Sequence, residues 1–180
     1  MNYSAGLEIT FTPKVKWLKP DKKVWTAMRN RLSKGRNLSV EIGWFRGNYH
    51  VGKNGLTLPT AQIAKWNEEG HETGGMYGVH YVPPRPFIRV GFKHSIDSDK
   101  ATQDLFVKFT QDVAEGRKTW KQVYNELGAR LLIRLQKAIK MDIYASNRPL
   151  TIALKGHGIT LIDTGQMQNS IEYRVGNRQG

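Results

Sequence analysis

The run Leu161-Ile162-Asp163-Thr164-Gly165 is the part of the sequence whose residue types most directly suggest chemistry. In aspartic proteases an Asp-Thr-Gly triplet after apolar residues supplies one of two carboxylates that share a proton and activate a water molecule. One triplet per chain is enough for a homodimer, because the other copy supplies the second carboxylate. The sequence therefore leaves open a homodimeric aspartic peptidase that uses Asp163.

The residues that follow Gly165 favour a structural role for the same triplet. Gln166-Met167-Gln168-Asn169 is polar and compatible with a helix, whereas retroviral proteases place small and acidic residues there and continue into β-structure. An aspartate before a helical turn accepts backbone N–H bonds, and a glycine in the turn relieves crowding. We therefore expect Asp163, Thr164 and Gly165 to form a fold-defining turn and expect no catalytic residue.

Metal and nucleotide chemistry have little support in the sequence. His71, Glu72 and His80 could be considered as metal ligands, but they lack the helical i, i+4 spacing of zinc proteases and lie in a glycine-rich segment. The chain has no cysteine, and no glycine-rich loop with a following Lys-Ser or Lys-Thr pair opens a helix. We expect exposed loop histidines, no metal and no cofactor.

The charge of the chain indicates anionic partners. Its 28 lysines and arginines against 15 acidic residues give a net charge of +13, which attracts nucleic acid or acidic protein surfaces. Basic residues alternate with aromatics at Lys14–Trp17 and around Trp25, Arg29 and Arg31. A sequence-tolerant DNA-binding protein is therefore a second alternative, although tryptophans at such positions are usually core residues and charge runs are usually solvated helix faces.

No apolar run approaches the roughly 18 residues that span a bilayer, so no membrane partner is expected. The N-terminus lacks the basic-then-apolar pattern of a signal peptide, and we expect folding in the cytoplasm.

The elements that position these residues predict an α+β fold. Hydrophobic periodicity, with Asp21 and Thr119 as the predicted caps of a first and a long helix, predicts a small antiparallel sheet packed against one long and two or three shorter helices. Helices are predicted over 21–34, 59–69, 95–115 and 119–142, strands over 39–46 and 170–176, a hairpin tip over 47–58, and loops over 70–81 and 150–161. Residues 1–20 are predicted to be an N-terminal arm or edge strand, and 21–180 a single domain with a Gly-rich loop at 70–81.

Pro83-Pro84-Arg85-Pro86-Phe87 predicts an extended, stiff backbone, because three prolines exclude a helix and deny ladder hydrogen bonds. A strip that is already stiff loses little entropy on docking. The strip is therefore a candidate interface, with Phe87 as an anchor and Arg85 as a fork for an acidic partner.

Four short motifs and one long helix together form an ordered series. Asn67-Glu68-x-Gly70 precedes the proline strip, a long amphipathic helix follows, and Asn147-x-Pro149-Leu150-Thr151 with Lys155 comes next. Leu161-x-Asp163-Thr164-Gly165-x-Met167-x-x-Ser170-Ile171 closes the series. In this order and spacing, about residues 59–176 resemble the virion morphogenesis proteins of tailed phages, the neck or tail-completion family that includes minor tail protein Z-like proteins. The loop over 70–81 is longer than expected for that family, and the lysine-rich N-terminus has no counterpart in it.

The resemblance implies a non-enzymatic structural component of the phage neck. Such a protein forms a ring that completes the tail or joins it to the head connector, and it is assembled in the cytoplasm of the host bacterium before residing in the virion. The expected partners are further copies of the chain, in a hexameric or a dodecameric ring, and the connector, tail-tube or tail-terminator proteins. If positive charge lines the lumen, non-specific contact with the phosphates of passing DNA is also expected.

Overall fold

The computed structural model describes residues 5–9, 21–51, 55–75, 78–93, 100–141 and 143–178. Within them the helices are α1 Lys22–Ser33, α2 Thr60–Glu69, α3 Phe87–Lys93, α4 Lys100–Ala114, α5 Trp120–Ile139, α6 Pro149–Lys155 and α7 Gln166–Asn169. The strands are β1 Ala5–Ile9, β2 Leu38–Trp44, β3 Tyr49–Val51, β4 Thr57–Pro59, β5 His71–Gly75, β6 Gly78–Val82 and β7 Glu172–Asn177.

The strands form small separate sheets, and the predicted α+β class is confirmed. One sheet has the order β1-β2-β7, so the two strands predicted over 39–46 and 170–176 are neighbours and β1 is an edge strand. Two antiparallel hairpins pair β3 with β4 and β5 with β6. Residues 10–20 of the predicted arm lie outside the described part of the chain.

The chain divides into two compact units. The first contains the described parts of 1–6, 43–93 and 132–172, and the second those of 7–42, 94–131 and 173–180. Helix α5 and strand β2 each continue from one unit into the other along the chain. The single domain predicted over 21–180 stays a prediction.

The second unit owes part of its local structure to two predicted helix caps. The Asp21 carboxylate accepts a hydrogen bond from Lys23 N at 3.1 Å at the start of α1. Before α5, the Thr119 hydroxyl accepts from Gln122 N at 3.3 Å, and Gln122 Oε1 accepts from Thr119 N at 2.8 Å. This reciprocal pair satisfies donors that the first helical turn leaves free. Both caps predicted from the sequence are confirmed.

The first unit has a core to which widely separated segments contribute. Its buried apolar side chains are Trp44, Ala61, Ala64, Phe87, Phe92, Leu135, Ala138, Ile139, Leu161, Met167 and Ile171. Trp44 and Phe87 meet edge to face, with ring centroids 6.0 Å apart. The Trp44 indole N–H also donates to Met167 O at 2.7 Å, so the chain just before Ser170 is tied to β2.

Two loop predictions are wrong. Residues 70–81 contain the β5–β6 hairpin, in which Thr73 is paired with His80 and Gly74 with Val79. Strand-favouring residues therefore outweigh the glycines, which a hairpin can accommodate at its tip. Residues 150–161 contain α6, because Pro149 is pre-organised for the first helical turn and Gly156, at φ 80°, ends the helix in the left-handed conformation.

Helix α3 was not predicted, and Phe87 begins it instead of ending an extended strip, because the last of the three prolines precedes the first helical turn and its carbonyl accepts from Val90 N. The other predicted elements agree with the structure to within a few residues. The hairpin over 47–58 is present as β3–β4, while its turn residues 52–54 lie outside the described part. The helix predicted over 95–115 is described from Lys100 onward, and Gly116 follows its end at φ 81°. Among the described residues, no helix combines the length and apolar character needed to cross a bilayer.

Candidate functional site

The proline strip is held in place by the segment that precedes it along the chain. Pro83–Pro86 belongs to neither a helix nor a strand, and Arg85 N donates to Asn67 O at 2.7 Å. Gly70 has φ 78°, and a Cβ there would lie 2.9 Å from both Pro84 N and Val82 O. Asn67 and Gly70 therefore have a physical reason to precede the strip, since one anchors it and the other permits its close approach.

Glu68 ties the same segment to the helix that follows the strip. Its carboxylate accepts hydrogen bonds from Ile88 N at 2.7 Å and Arg89 N at 3.2 Å, in the first turn of α3. The Arg89 side chain adds a third bond, from Nε at 3.0 Å. Glu68 is 8% exposed. Its carboxylate accepts from N–H groups that the first turn of α3 leaves free, which is the usual role of an N-cap side chain.

Arg85 turns inward from the strip and is 7% exposed. Its Nε donates to Ala145 O at 3.1 Å and its Nη2 donates to Asn147 Oδ1 at 3.0 Å. Within the described part of the chain no carboxylate forms an ion pair with Arg85. Burial lowers the pKa of the guanidinium, as expected for a charge withdrawn from water without a counter-charge.

Phe87 does not fit the role of an exposed anchor for a partner. Its side chain has no exposed surface and packs against Trp44, so it belongs to the core of its own unit. An apolar ring of this size is stabilised most by full burial, which the start of α3 provides. Of the strip, Pro84 is exposed and Pro83 and Pro86 are half-buried; docking of the strip onto another chain stays a prediction.

Asn147 and Lys155 both hold the segment that leads to the Asp-Thr-Gly turn. Asn147 Nδ2 donates to Thr160 O at 3.4 Å, and Lys155 Nζ donates to Ile159 O at 3.0 Å and to Thr160 O at 3.2 Å. The pKa of Lys155 is lowered, chiefly by burial and also by the charge of Arg85, while Asp163 acts in the opposite direction. Two cations and one carboxylate therefore share this region.

The turn is built by Thr164 and Gly165, and the expectation that Asp163 caps it is wrong. Gly165 adopts φ 77° and ψ −2° immediately before α7, and the Thr164 hydroxyl accepts from Gln166 N at 3.3 Å. The Asp163 side chain is exposed and caps no N–H, because Thr164 is closer along the chain to the N–H that needs a partner. The backbone of Asp163 instead faces His157, whose Nε2 lies 3.4 Å from Asp163 O.

These segments enclose one pocket in the first unit, with a volume of about 330 Å³. Its lining residues are His50, Ile63, Asn67, Arg85, Asn147, Thr151, Lys155, Thr160, Leu161, Asp163, Thr164, Gly165, Gln166 and Met167. Most of them come from the four ordered sequence segments described above. The structure thus brings Arg85 and the turn residues Asp163, Thr164 and Gly165 together, while Pro83, Pro84, Pro86 and Phe87 do not line the pocket.

The charge of the lining determines what the pocket can do. Arg85 and Lys155 are cationic and Asp163 is the one carboxylate among the lining residues, so the wall carries an excess of positive charge when His50 is neutral. Hydroxyl and amide groups of Thr151, Thr164 and Gln166 add neutral hydrogen-bonding capacity. Such a wall suits an anionic group better than a cation or an apolar ligand.

Residue roles that depend on contacts between segments were not visible in the sequence. Glu68 and Asn147 stand in the ordered series, but the partners of Glu68 begin at Ile88 and those of Asn147 include Arg85 and Thr160. Their place in the ordered series marks such residues, although it does not say what they bind. Only the folded chain identifies Glu68 as a cap and Asn147 as a bridge.

The other candidate residues are not among those that line the pocket. His71 stacks on Trp66, with ring centroids 5.4 Å apart, and its Nδ1 is 3.2 Å from Trp66 O. His80 faces Thr73 across the hairpin. Trp25 is 40% exposed on α1, while Lys14–Trp17 lie outside the described residues.

Comparison of the chain with protein-family models, with curated proteins and with solved structures found no match.

Proposed function

We propose that the chain is a non-enzymatic structural component of a tailed-phage neck, which completes the tail or joins it to the head connector as part of a ring. The proposal starts from the ordered series of motifs over about residues 59–176. One structural observation carries it further. Residues from all four short motifs converge on a single pocket or on the strip beside it.

This convergence matters because a single short motif matches by chance far more easily than a set of motifs whose residues meet at one place in the fold. Asn67 anchors the strip, Arg85 leaves the strip to bond Asn147, and Asn147 bonds the segment that leads to Asp163. Hydrogen bonds therefore connect the first three motifs, and the fourth begins at Leu161, directly after the Thr160 carbonyl that Asn147 binds. A shared structural reason for the series supports the resemblance as a whole.

The charge of the chain supports assembly onto acidic partners. A net charge of +13 raises the rate of encounter with negatively charged subunits more than it tightens the final complex. The same positive charge would be compatible with DNA inside a ring, because it would contact the phosphates without recognition of the bases.

Native mass spectrometry of the purified full-length chain tests the proposal, together with binding assays against phage connector and tail-tube proteins. We expect particles at six or twelve times the chain mass of 20.5 kDa, alone or on addition of a partner. A chain that stays monomeric at all concentrations and binds neither partner would refute the proposal.

Two further assays address the alternatives. Cleavage of a peptide library that is abolished by Asp163→Asn would establish an aspartic peptidase and overturn the structural proposal. DNA affinity that falls steeply in a plot of log affinity against log salt would establish a DNA-binding protein. For a neck component we expect no cleavage, and only weak binding to DNA regardless of its sequence.

A further inference from the structure

The pocket contains a buried cation whose hydrogen-bonding capacity is not used up. A guanidinium has five N–H donors, and among the described residues the side chain of Arg85 uses two of them, toward Ala145 O and Asn147 Oδ1. Lysine has three donors, and Lys155 uses two, toward Ile159 O and Thr160 O. Both side chains line the pocket and retain donors for a further acceptor.

The positions of the two cations are maintained at an electrostatic cost. Burial lowers the pKa of both groups, and each cation lies close enough to the other for Arg85 to lower the pKa of Lys155. Two like charges at the wall of one concave site are stabilised by an anion placed between them. Asp163 lines the same pocket, yet neither cation forms an ion pair with it within 4.0 Å in the described part of the chain.

We propose that this pocket binds the carboxylate of an acidic residue from a partner polypeptide. A planar carboxylate matches the fork geometry of Arg85, and a single negative charge balances the single excess positive charge of the wall. The volume of about 330 Å³ is at the low end of the roughly 300–1,000 Å³ of small-molecule sites. It therefore fits one amino-acid side chain.

Helix α6 indicates that the carboxylate belongs to a polypeptide. Thr151 and Lys155, one helical turn apart, line the pocket, while Leu150 and Leu154 occupy the adjacent face and are 68% and 69% exposed. An apolar strip beside a cationic pocket fits a segment with an acidic residue next to an apolar one. A phosphate backbone offers no apolar group to cover these leucines.

Titration of the full-length chain with two short peptides tests the proposal. One peptide carries a Glu beside a Leu, and its twin carries Gln in place of Glu; isothermal titration calorimetry measures their affinities. We expect saturable binding of the Glu peptide and at least about tenfold weaker binding of the twin, as for the loss of one charge-assisted hydrogen bond. Equal affinities for the two peptides would overturn the proposal.

Variants of the two charged side chains are expected to act in opposite directions. Lys155→Gln should weaken binding of the Glu peptide about tenfold, and Asp163→Asn should strengthen it severalfold, because the wall loses a cation in one case and an anion in the other. Lys65→Gln removes one positive charge from an exposed ion pair on α2 and should leave affinity unchanged. If Lys65→Gln and Lys155→Gln lower the affinity for the Glu peptide equally, only the net charge of the chain matters, and the proposed pocket is refuted.

Two further arms separate the sources of the anion and the apolar contact. Inorganic phosphate that binds more tightly than the Glu peptide would overturn the assignment to a carboxylate. Leu150→Ser should lower the affinity for the Glu peptide without changing the affinity for acetate, since Leu150 is exposed and its replacement leaves the pocket intact. A peptide affinity that Leu150→Ser leaves unchanged would contradict the polypeptide partner. None of these outcomes depends on the phage assignment.

Discussion

Replacement of Glu68 by alanine is expected to destabilise the first unit more than any change at a neighbouring acidic residue. The Glu68 carboxylate accepts from Ile88 N, Arg89 N and Arg89 Nε at 2.7, 3.2 and 3.0 Å. Alanine removes all three acceptor contacts at once. Two main-chain donors at the start of α3 then lose their partner.

The magnitude follows from the separate contributions. Loss of a capping side chain costs about 0.5–2 kcal/mol, and a part-buried donor left unpaired adds up to the roughly 1–3 kcal/mol of a fully buried one. The Arg89 side chain is 70% exposed, so its ion pair with Glu68 contributes only about 0–1 kcal/mol. We expect Glu68→Ala to lower the free energy of unfolding by about 2–4 kcal/mol in total.

Urea denaturation monitored by tryptophan fluorescence measures this loss, because Trp44 packs against Phe87 at the start of α3. Glu69→Ala is the matched control. The Glu69 side chain is 61% exposed and lies 4.0 Å from Lys65 Nζ, so its loss should cost less than about 0.5 kcal/mol. Glu68→Gln keeps one acceptor oxygen and should give an intermediate value.

Equal destabilisation by Glu68→Ala and Glu69→Ala would refute the capping role of Glu68. So would a loss below about 0.5 kcal/mol for Glu68→Ala, because even a single lost cap costs at least that much.

Three further changes test other contacts. Gly70→Ala should lower the free energy of unfolding by more than about 2 kcal/mol, since it combines a positive φ with a clash against Pro84 N. Gly156→Ala has a similar φ but open space around the new Cβ, so it should lower the free energy of unfolding by only about 1 kcal/mol. Urea denaturation measures both changes. Gly128→Ala should lower the thermal midpoint despite the helix propensity of alanine, because its Cβ would overlap the Tyr173 ring. Burial, with the Glu68 charge, raises the pKa of Tyr144 from 10.0 to about 12. The unfolded chain therefore releases this proton first, and stability should fall as the pH rises from 10 towards 12, with a shallower fall in Tyr144→Phe. A pH slope that is unchanged in Tyr144→Phe would contradict this assignment.

Local patterns predicted the elements well where the deciding forces are local. Asp21 and Thr119 cap their helices as expected, because a cap needs only N–H groups two or three residues away. The strand at 39–46 and the helix at 59–69 follow from hydrophobic periodicity alone. The hairpin at 71–82 and the helix at 149–155 were missed because glycine and proline were weighed as breakers, although their positions at a hairpin tip, a first helical turn and a helix end make them compatible with both elements.

The candidate site was predicted in part. The sequence identified Arg85 and the Asp163–Gly165 turn as unusual, and both line the pocket. It assigned Arg85 and Phe87 to an exposed interface, whereas both are buried, because extended backbone alternates the direction of its side chains and only the packing decides which face is covered.

The Asp-Thr-Gly run illustrates the division between sequence and tertiary structure. The sequence by itself determined that a turn forms there, since Gly165 accepts a left-handed conformation and a neighbouring hydroxyl satisfies the next N–H. Only the tertiary structure decided that Thr164 supplies that hydroxyl and that Asp163 faces a pocket shared with Arg85 and Lys155. The physical reason is distance along the chain: a turn is closed by adjacent residues, whereas the charge around Asp163 comes from residues that only folding brings together.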